Sequence, residues 1–242
     1  MPRSNAPQKL LFDAATATQI DGSNGDGSML AVGAAHGTPV TALLTDMSQP
    51  LGAEVGNAGE VAESLAVLRG EGPADVTELT IRLGVEMLLL GGVAADAAEA
   101  EGRLWAVLES GRALDILTAV IADQGGDPGV VDDPSRLPSA PGRHVLVAPA
   151  DGVVSTCDAR TIGVAAVRLG AGRAVKDDDV DHGVGVTLHA KVGDRVVAGD
   201  PLATVAWRDE RRLHSCLELL PTAWSLGPGA QPPPLIHERM TT

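Results

Sequence analysis

Residues 51–63 place glycines and carboxylates at a spacing that suits the binding of a metal cation. A monovalent cation is held by several oxygen atoms, most of them backbone carbonyls that only a tight turn can direct inward, and a carboxylate supplies compensating charge. Gly52 and Gly56 permit such a turn because glycine reaches positive φ without steric cost. The alternative interpretation is a helix N-terminus with solvent-exposed acidic side chains.

Two other glycine-marked segments suggest chemistry less strongly. Residues 170–173, Gly-Ala-Gly-Arg, offer amides and an arginine of the kind that bind phosphate, but no Gly-Lys-Ser or Gly-Lys-Thr follows. Residues 191–202 resemble the hairpin of biotinyl and lipoyl carrier domains, yet the next strand lacks the Met-Lys-Met of a carrier. The six histidines form no HExxH motif. Structural roles are favoured for all of these, and we predict no catalytic residue.

The composition limits the class of protein. A chain of 242 residues with 44% hydrophobic content can bury one or two cores. Its formal net charge of −14 argues against nucleic acid and anionic membranes as partners, because both recruit basic residues. The only two cysteines, Cys157 and Cys216, have no CxxC spacing. No apolar run approaches the ~20 residues that span a bilayer, and no signal peptide is evident, so we expect a cytoplasmic protein.

Residues 1–28 are expected to be an unrelated leader that ends in a flexible linker, because residues 22–28 consist of Gly, Ser, Asn and Asp. The alternative is a calcium loop that starts at Asp21. It fails because Asp26 stands where glycine is required and Val32 stands where the bidentate glutamate should be.

Residues 29–130 combine helix and strand signals in a pattern typical of an α/β domain. Residues 39–45 form a β-branched apolar run that predicts a buried strand. Asp75 is predicted as a helix N-cap, with Glu78 three positions later. Helices are predicted at residues 29–36, 75–90, 97–110 and 113–124, the last three from apolar residues at helical spacing.

Residues 131–141 contain three prolines and predict a linker between domains. Beyond this linker the pattern changes to short β runs broken by glycines, so residues 142–242 are predicted to form a β-rich domain. The runs are residues 144–148, 153–156, 184–188, 195–197 and 202–206, with a last edge strand at 235–237.

Three stretches together resemble the pyrimidine-nucleoside and thymidine phosphorylase family. Residues 43–63, with Pro-Leu-Gly, Val-Gly-Asn and Glu-Val, are similar to the place where that family ends a strand, wraps a monovalent cation and enters a helix. Gln-Gly-Gly-Asp-Pro at residues 124–128 is similar to the family's AQGGDP turn. Residues 162–173, with Lys176 and the Lys-Val-Gly-Asp that begins at Lys191, are similar to its C-terminal domain. The resemblance runs in unbroken order from about residue 30 to about residue 207 and covers only the second half of the family's chain.

The resemblance implies the distal part of a parallel-sheet α/β domain at residues 29–130, then the family's β-rich C-terminal domain, barrel-sandwich or hammerhead-like, at residues 142–242. It implies a potassium ion as cofactor, held by the carbonyls of Leu51 and Glu54 and by the side chain of Glu63. Two residues depart from the family. Glu54 stands where a small residue is usual, and Gly59 replaces a helix-forming Leu at a cost of roughly 1 kcal/mol.

The function implied by the resemblance is transfer of a pentosyl group from a pyrimidine nucleoside to phosphate, in nucleoside salvage. The family's phosphate and base sites precede residue 43 and have no counterpart in residues 1–28. We therefore expect phosphate and nucleoside to bind only when the missing half is supplied, the isolated chain to be inactive, and the chain to self-associate or to need a partner chain. The alternatives are a non-catalytic docking or regulatory module and a truncated relic. A carrier domain ranks below both.

Overall fold

The computed structural model describes residues 10–13, 25–173 and 175–242 and divides into two compact units. The first unit contains the described residues up to 47, with residues 77–109 and 233–242, and the second contains residues 48–76 and 110–232. Most of the predicted leader, residues 1–28, lies outside the described residues. The predicted domain bounds, including the linker at 131–141, stay predictions. No helix in the described ranges has the length and apolar character needed to cross a membrane.

The sheet of the first unit is centred on one buried strand, β2 (Val40–Thr45). It pairs in parallel with β1 (Leu10–Asp13) and antiparallel with β10 (Ile236–Thr241). Five of its six residues are buried, as expected for an apolar, β-branched run in the middle of a sheet. The predicted strand at residues 39–45 is confirmed, and the sheet has one parallel and one antiparallel pairing.

The strand β10 is attached by an ion pair as well as by backbone hydrogen bonds. Arg239 on β10 donates from Nε to Oε1 and from Nη2 to Oε2 of Glu86, the second bond at 2.8 Å. Glu86 lies on α3 (Ala74–Leu90) and is buried, so the ion pair compensates a carboxylate that is removed from water. The sequence predicted a short edge strand at residues 235–237 but did not indicate its pairing with β2.

Two helices of the first unit share a small core. It is formed by α3 and α4 (Ala97–Glu109), whereas α1 (Gly25–Ala35) lies against β2, with Gly33 close to Val40. Gly84 has no side chain, and a Cβ built there would lie 2.9 Å from Leu104, so this glycine lets α4 pack closely on α3. The buried residues of this core are Ile81, Val85, Ala94 and Ala100. The predicted helices at residues 29–36, 75–90 and 97–110 are confirmed, with ends shifted by a few residues.

The predicted N-cap at Asp75 is wrong. The helix α3 begins one residue earlier, at Ala74, and Asp75 lies in its first turn. Its Oδ1 accepts the N–H of Val76, while Oδ2 accepts the N–H of Gly52 and the ammonium of Lys191. The carboxylate therefore binds one amide of its own first turn and two partners distant in sequence, and it does not stand at the N-cap position.

Among its described residues, the second unit contains two antiparallel sheets, four complete α-helices and the first turn of α3. The first sheet has the order β3-β6-β8-β4 and the second β7-β5-β9. The strands are β3 (Glu54–Gly56), β4 (Gly142–Val147), β5 (Gly152–Cys157), β6 (Gly185–Leu188), β7 (Arg195–Val196), β8 (Pro201–Trp207) and β9 (Trp224–Gly227). The helices are α2 (Asn57–Leu68), α5 (Arg112–Asp123), α6 (Ala159–Leu169) and α7 (Glu210–Leu217), with short 3-10 turns at Pro128–Val130, Pro134–Arg136 and Leu220–Ala223. The predicted β runs are confirmed, as is the helix at residues 113–124.

Helix α6 supplies the centre of the second unit's core and was not predicted. It buries Ile162, Ala165, Ala166 and Leu169 on one face. Both of its ends carry ordinary helix-capping residues. Asp158 caps the start by accepting the N–H of Thr161, and Gly170 at φ 110° ends the helix. Short β runs on both sides of residues 159–169 concealed this helix.

Candidate functional site

The turn at residues 51–54 lies before β3 and is shaped by Gly52, which has a φ of 71°. Each peptide group of the turn has its own partner in the second unit. The N–H of Gly52 donates to Asp75 at 3.1 Å, and its carbonyl accepts from Lys191 at 3.1 Å. The carbonyl of Ala53 accepts the N–H of Leu188 on β6 at 2.7 Å. These bonds fix the direction of three successive peptide planes.

Glu63 joins helix α2 to this turn. Its Oε1 accepts the N–H of Ala53 at 2.7 Å and the N–H of Glu54 at 3.2 Å. Its Oε2 lies against Gly52, where a built Cβ would come within 2.1 Å of the oxygen. Among the hydrogen bonds of the described residues, none uses Oε2. One carboxylate oxygen therefore holds the turn, and the other retains its lone pairs for a ligand.

The two carbonyls predicted as ligands are the ones that the turn leaves available. The N–H of Gly52 points to Asp75, so the trans peptide directs the Leu51 carbonyl away from that residue. Glu54 stands opposite Thr187 at a position between hydrogen-bonded pairs, so its N–H and carbonyl point away from β6. Both carbonyls are thus free of the sheet.

The predicted ligands Leu51, Glu54 and Glu63 line one cleft of about 370 Å³, together with Glu60 and Ser64. Burial raises the pKa of the Glu54 carboxyl; a hydrogen bond from Thr187 opposes this, and the charges of Glu63 and Glu60 add to it. A cleft with several carboxylates and free carbonyls suits a cation. The described residues contain no group of three or more His, Cys, Asp and Glu that could hold a metal, so carbonyl oxygens would have to provide part of the ligand set.

Lys191 and Asp75 form an ion pair beside the turn, and neither role was predicted from the sequence. The Lys191 ammonium contacts Asp75 Oδ2 and the Gly52 carbonyl, and its side chain is only 23% exposed. Burial alone would raise the pKa of Asp75, but the hydrogen bond and charge of Lys191, with the Val76 and Gly52 amides, hold it below its usual value. The pair joins positions 116 residues apart, so no local pattern could reveal it.

Comparison with known proteins identifies the relationship of this chain. The family model described as "Pyrimidine nucleoside phosphorylase C-terminal domain" matches residues 153–227. The chain is 40% identical over 224 residues to the pyrimidine-nucleoside phosphorylase of Bacillus subtilis, covering 93% of this chain and 52% of that protein. It is 37% identical over 214 residues to the enzymes of the same name from Staphylococcus epidermidis and Staphylococcus aureus, covering 88% of this chain and 49% of each.

The chain is a relative of the pyrimidine-nucleoside phosphorylases. The resemblance predicted from the sequence is confirmed. The chain spans about half the length of the curated relatives it matches.

The two departures from the phosphorylase pattern, Glu54 and Gly59, are linked by packing, because the glycine leaves space for the glutamate side chain. The Glu54 side chain folds over the start of α2, where its Oε2 accepts a hydrogen bond from Thr187 at 3.0 Å. A Cβ built on Gly59 would lie 2.5 Å from the same Oε2. A leucine at position 59 would therefore displace the glutamate, and the glycine makes room for it.

The remaining motifs have structural roles in this phosphorylase relative. Gly170 ends α6, and Arg173 donates to the Asp178 carbonyl at 3.1 Å, so residues 170–173 form a turn. Residues 191–202 do not form a hairpin, because β7 and β8 belong to different sheets, and Lys191 is paired with Asp75. Burial raises the pKa of Cys157 to about 12 and that of Cys216 to about 11, which keeps both thiols protonated and unreactive at neutral pH.

Proposed function

We propose that this chain contributes the cation-binding and β-rich part of a pyrimidine-nucleoside phosphorylase, which transfers a pentosyl group from a pyrimidine nucleoside to phosphate in nucleoside salvage. The observation that carries the proposal is the cleft beside residues 51–54. It gathers the three residues that the resemblance assigns to a cation, in a chain whose relatives bear that enzyme name. We also propose a cytoplasmic location.

A barrel-sandwich, hammerhead-like architecture is part of the proposal for the β-rich region. The two antiparallel sheets of the second unit and the buried helix α6 support it.

The cation in this proposal is potassium, held by the carbonyls of Leu51 and Glu54 and by Oε2 of Glu63. The fit rests on the directions of the two carbonyls and on the free oxygen of Glu63. When bound, the ion would supply positive charge that offsets the carboxylates of the cleft. The chain's own residues shape the site, since Glu63 links the turn to helix α2 through two amide hydrogen bonds.

The chain contributes to the reaction by holding other parts of the enzyme in place. Phosphorolysis needs a phosphate cradle, donors that take up charge as the glycosidic bond breaks, and a closure that brings the two sites together. The residues that the resemblance implies for phosphate and base lie in the other half of the family's fold. We propose that this half, whichever polypeptide carries it, works with the present chain.

Exposed apolar residues on two helices support such a partner or self-association. Trp105 on α4 is 38% exposed and Ile116 on α5 is 56% exposed. Helix α5 buries none of its residues, and α4 buries only Ala100. Apolar helix faces of this kind are typically covered by another protein surface.

The function is tested by assaying the purified 242-residue chain for release of free base from thymidine and uridine in phosphate buffer. We expect no measurable turnover, because the loss of even one oxyanion donor costs about 10²–10³ in rate and here the whole cradle is missing. Turnover within about ten-fold of an ordinary phosphorylase would contradict this division of labour, since each catalytic donor is worth that much or more.

The cation is tested by comparing melting temperatures in potassium and in choline at equal ionic strength. A cation that binds only the folded chain stabilises it by about 2.7 kcal/mol at a hundred-fold excess over Kd. Glu63→Gln keeps the shape but removes the charge, so it should abolish the potassium effect. Glu71→Gln, at an exposed position of the same unit, is the matched control and should leave the effect intact. A potassium effect that survives Glu63→Gln, or one absent even with the complementing half added, would refute the site.

A further inference from the structure

The shape of the cation cleft depends on the turn at residues 51–54. Its central residue is a glycine, which has little conformational preference of its own. Gly52 has a φ of 71°, and glycine populates positive and negative φ about equally. Rotation of the peptide planes on either side of Gly52 would move its carbonyl toward the cleft and turn the Ala53 N–H away from Glu63. Other groups must therefore select the observed conformation.

We infer that Lys191 and Asp75 are the positioning residues that select the conformation of the turn at residues 51–54, an inference that rests on the proposed cation site for its functional consequence. Lys191 holds the Gly52 carbonyl at 3.1 Å, and Asp75 holds the Gly52 N–H at 3.1 Å. Each member of the ion pair therefore binds one backbone group of Gly52: Lys191 binds the carbonyl, and Asp75 binds the N–H.

The ion pair is suited to this task by its charge and burial. Both side chains are partly buried, Lys191 at 23% and Asp75 at 31% exposure, and hydrogen bonds to charged groups are stronger than neutral ones. Lys191 also belongs to a segment that is anchored independently. The N–H of Val192 donates to Gln49 at 3.0 Å, and the N–H of Lys191 donates to Asp194 at 2.8 Å. The ammonium therefore approaches Gly52 from a fixed backbone.

The consequence for the cleft follows from the peptide directions. With Gly52 held, the Ala53 N–H reaches Glu63 Oε1 and the Leu51 carbonyl points away from Asp75. Without Lys191, the Gly52 carbonyl loses its donor, and the 52–53 peptide is held only by the hydrogen bond from the Ala53 N–H to Glu63. Rotation of this peptide would remove the Ala53 N–H from Glu63 and so loosen the position of that proposed ligand.

The test measures amide hydrogen exchange of Ala53 by NMR, together with the potassium concentration at half-maximal stabilisation, on the full chain. Lys191→Met should accelerate exchange at Ala53 about ten-fold or more and weaken apparent potassium affinity by a similar factor, as expected for the loss of a charged hydrogen bond. Lys191→Arg retains the charge and should stay near wild type. Lys176→Met, the same change at an exposed lysine of the same unit, should alter neither quantity.

The outcomes separate this inference from the proposed function. Unchanged exchange at Ala53 in Lys191→Met, or equal loss in Lys191→Met and Lys191→Arg, would overturn the positioning role. If the wild-type chain shows no potassium effect with or without its complementing half, the cation proposal falls, while Lys191-dependent exchange at Ala53 would still support the positioning of the turn. If Lys191→Met does not fold, Asp75→Asn replaces it. That variant should accelerate exchange in the same direction, and unchanged exchange would overturn the inference.

Discussion

Burial of apolar side chains differs between two parts of the molecule: the β-rich region at residues 142–232 and the helices α4 and α5. The β-rich region encloses its own core, in which Ile162, Val154 and Leu220 are fully buried. Helix α5 buries no residue, and α4 buries only Ala100. The first region therefore buries its apolar residues among its own elements and the strand β3, whereas the two helices leave apolar side chains exposed.

The largest effect is expected when the same change, Ile to Ala, is made once in the β-rich core and once on α5. Ile162→Ala removes a side chain at 0% exposure and should destabilise the chain by about 3 kcal/mol through lost burial and a cavity. Ile116→Ala, at 56% exposure on α5, should change stability by less than about 0.5 kcal/mol. Chemical denaturation of both variants decides the point. Equal losses would mean that α5 is already covered in solution, for example by a second copy of the chain.

The ion pair that attaches β10 should give the next effect. Arg239→Met leaves the carboxylate of Glu86 buried without its partner. We expect a loss of about 2–3 kcal/mol, below the value for a fully buried pair because Arg239 is 45% exposed. Arg103→Met breaks the exposed Glu99–Arg103 pair of the same unit and should cost far less, because water screens both charges. Thermal unfolding compares them. Similar costs for the two variants would show that Glu86 gains water in place of Arg239.

The smallest expected effect concerns the turn at the cation cleft. Gly52→Ala must adopt a φ of 71° and also place a Cβ against Glu63 Oε2. Gly70→Ala, with a φ of 78° and open space around it, carries the backbone cost alone, about 1 kcal/mol. Gly52→Ala should lower the melting temperature further than Gly70→Ala, and only Gly52→Ala should disturb the potassium effect. An equal potassium effect in both variants would show that the conformation of the turn does not influence the cation site.

Local patterns in the sequence revealed part of this architecture. The apolar run of β2 and the helical spacing in α3, α4 and α5 are local signals, and the structure confirms them. The strand β10 was underestimated because Ile-His-Glu-Arg-Met-Thr has no strong alternation, and its pairing with β2 depends on contacts formed only in the folded chain.

In the candidate site too, some residues could be predicted from local spacing and others could not. Gly52, Gly56 and Glu63 lie within a dozen residues, so their spacing could indicate a cation turn. Lys191 and Asp75 could not be assigned, because their contact depends on a fold that brings distant segments together. The Asp75 cap was predicted wrongly for that reason, since a stronger partner from elsewhere in the chain took its carboxylate.

Reconstitution with the other half of a relative tests the central claim most directly. The chain would be co-purified with the part of the Bacillus subtilis pyrimidine-nucleoside phosphorylase that it does not match, and release of free base from thymidine and uridine would be followed with potassium and with choline. The account predicts turnover only for the reconstituted pair, dependent on potassium and lost in Glu63→Gln. A stable pair that remains inactive in potassium, or a pair equally active in choline, would contradict it.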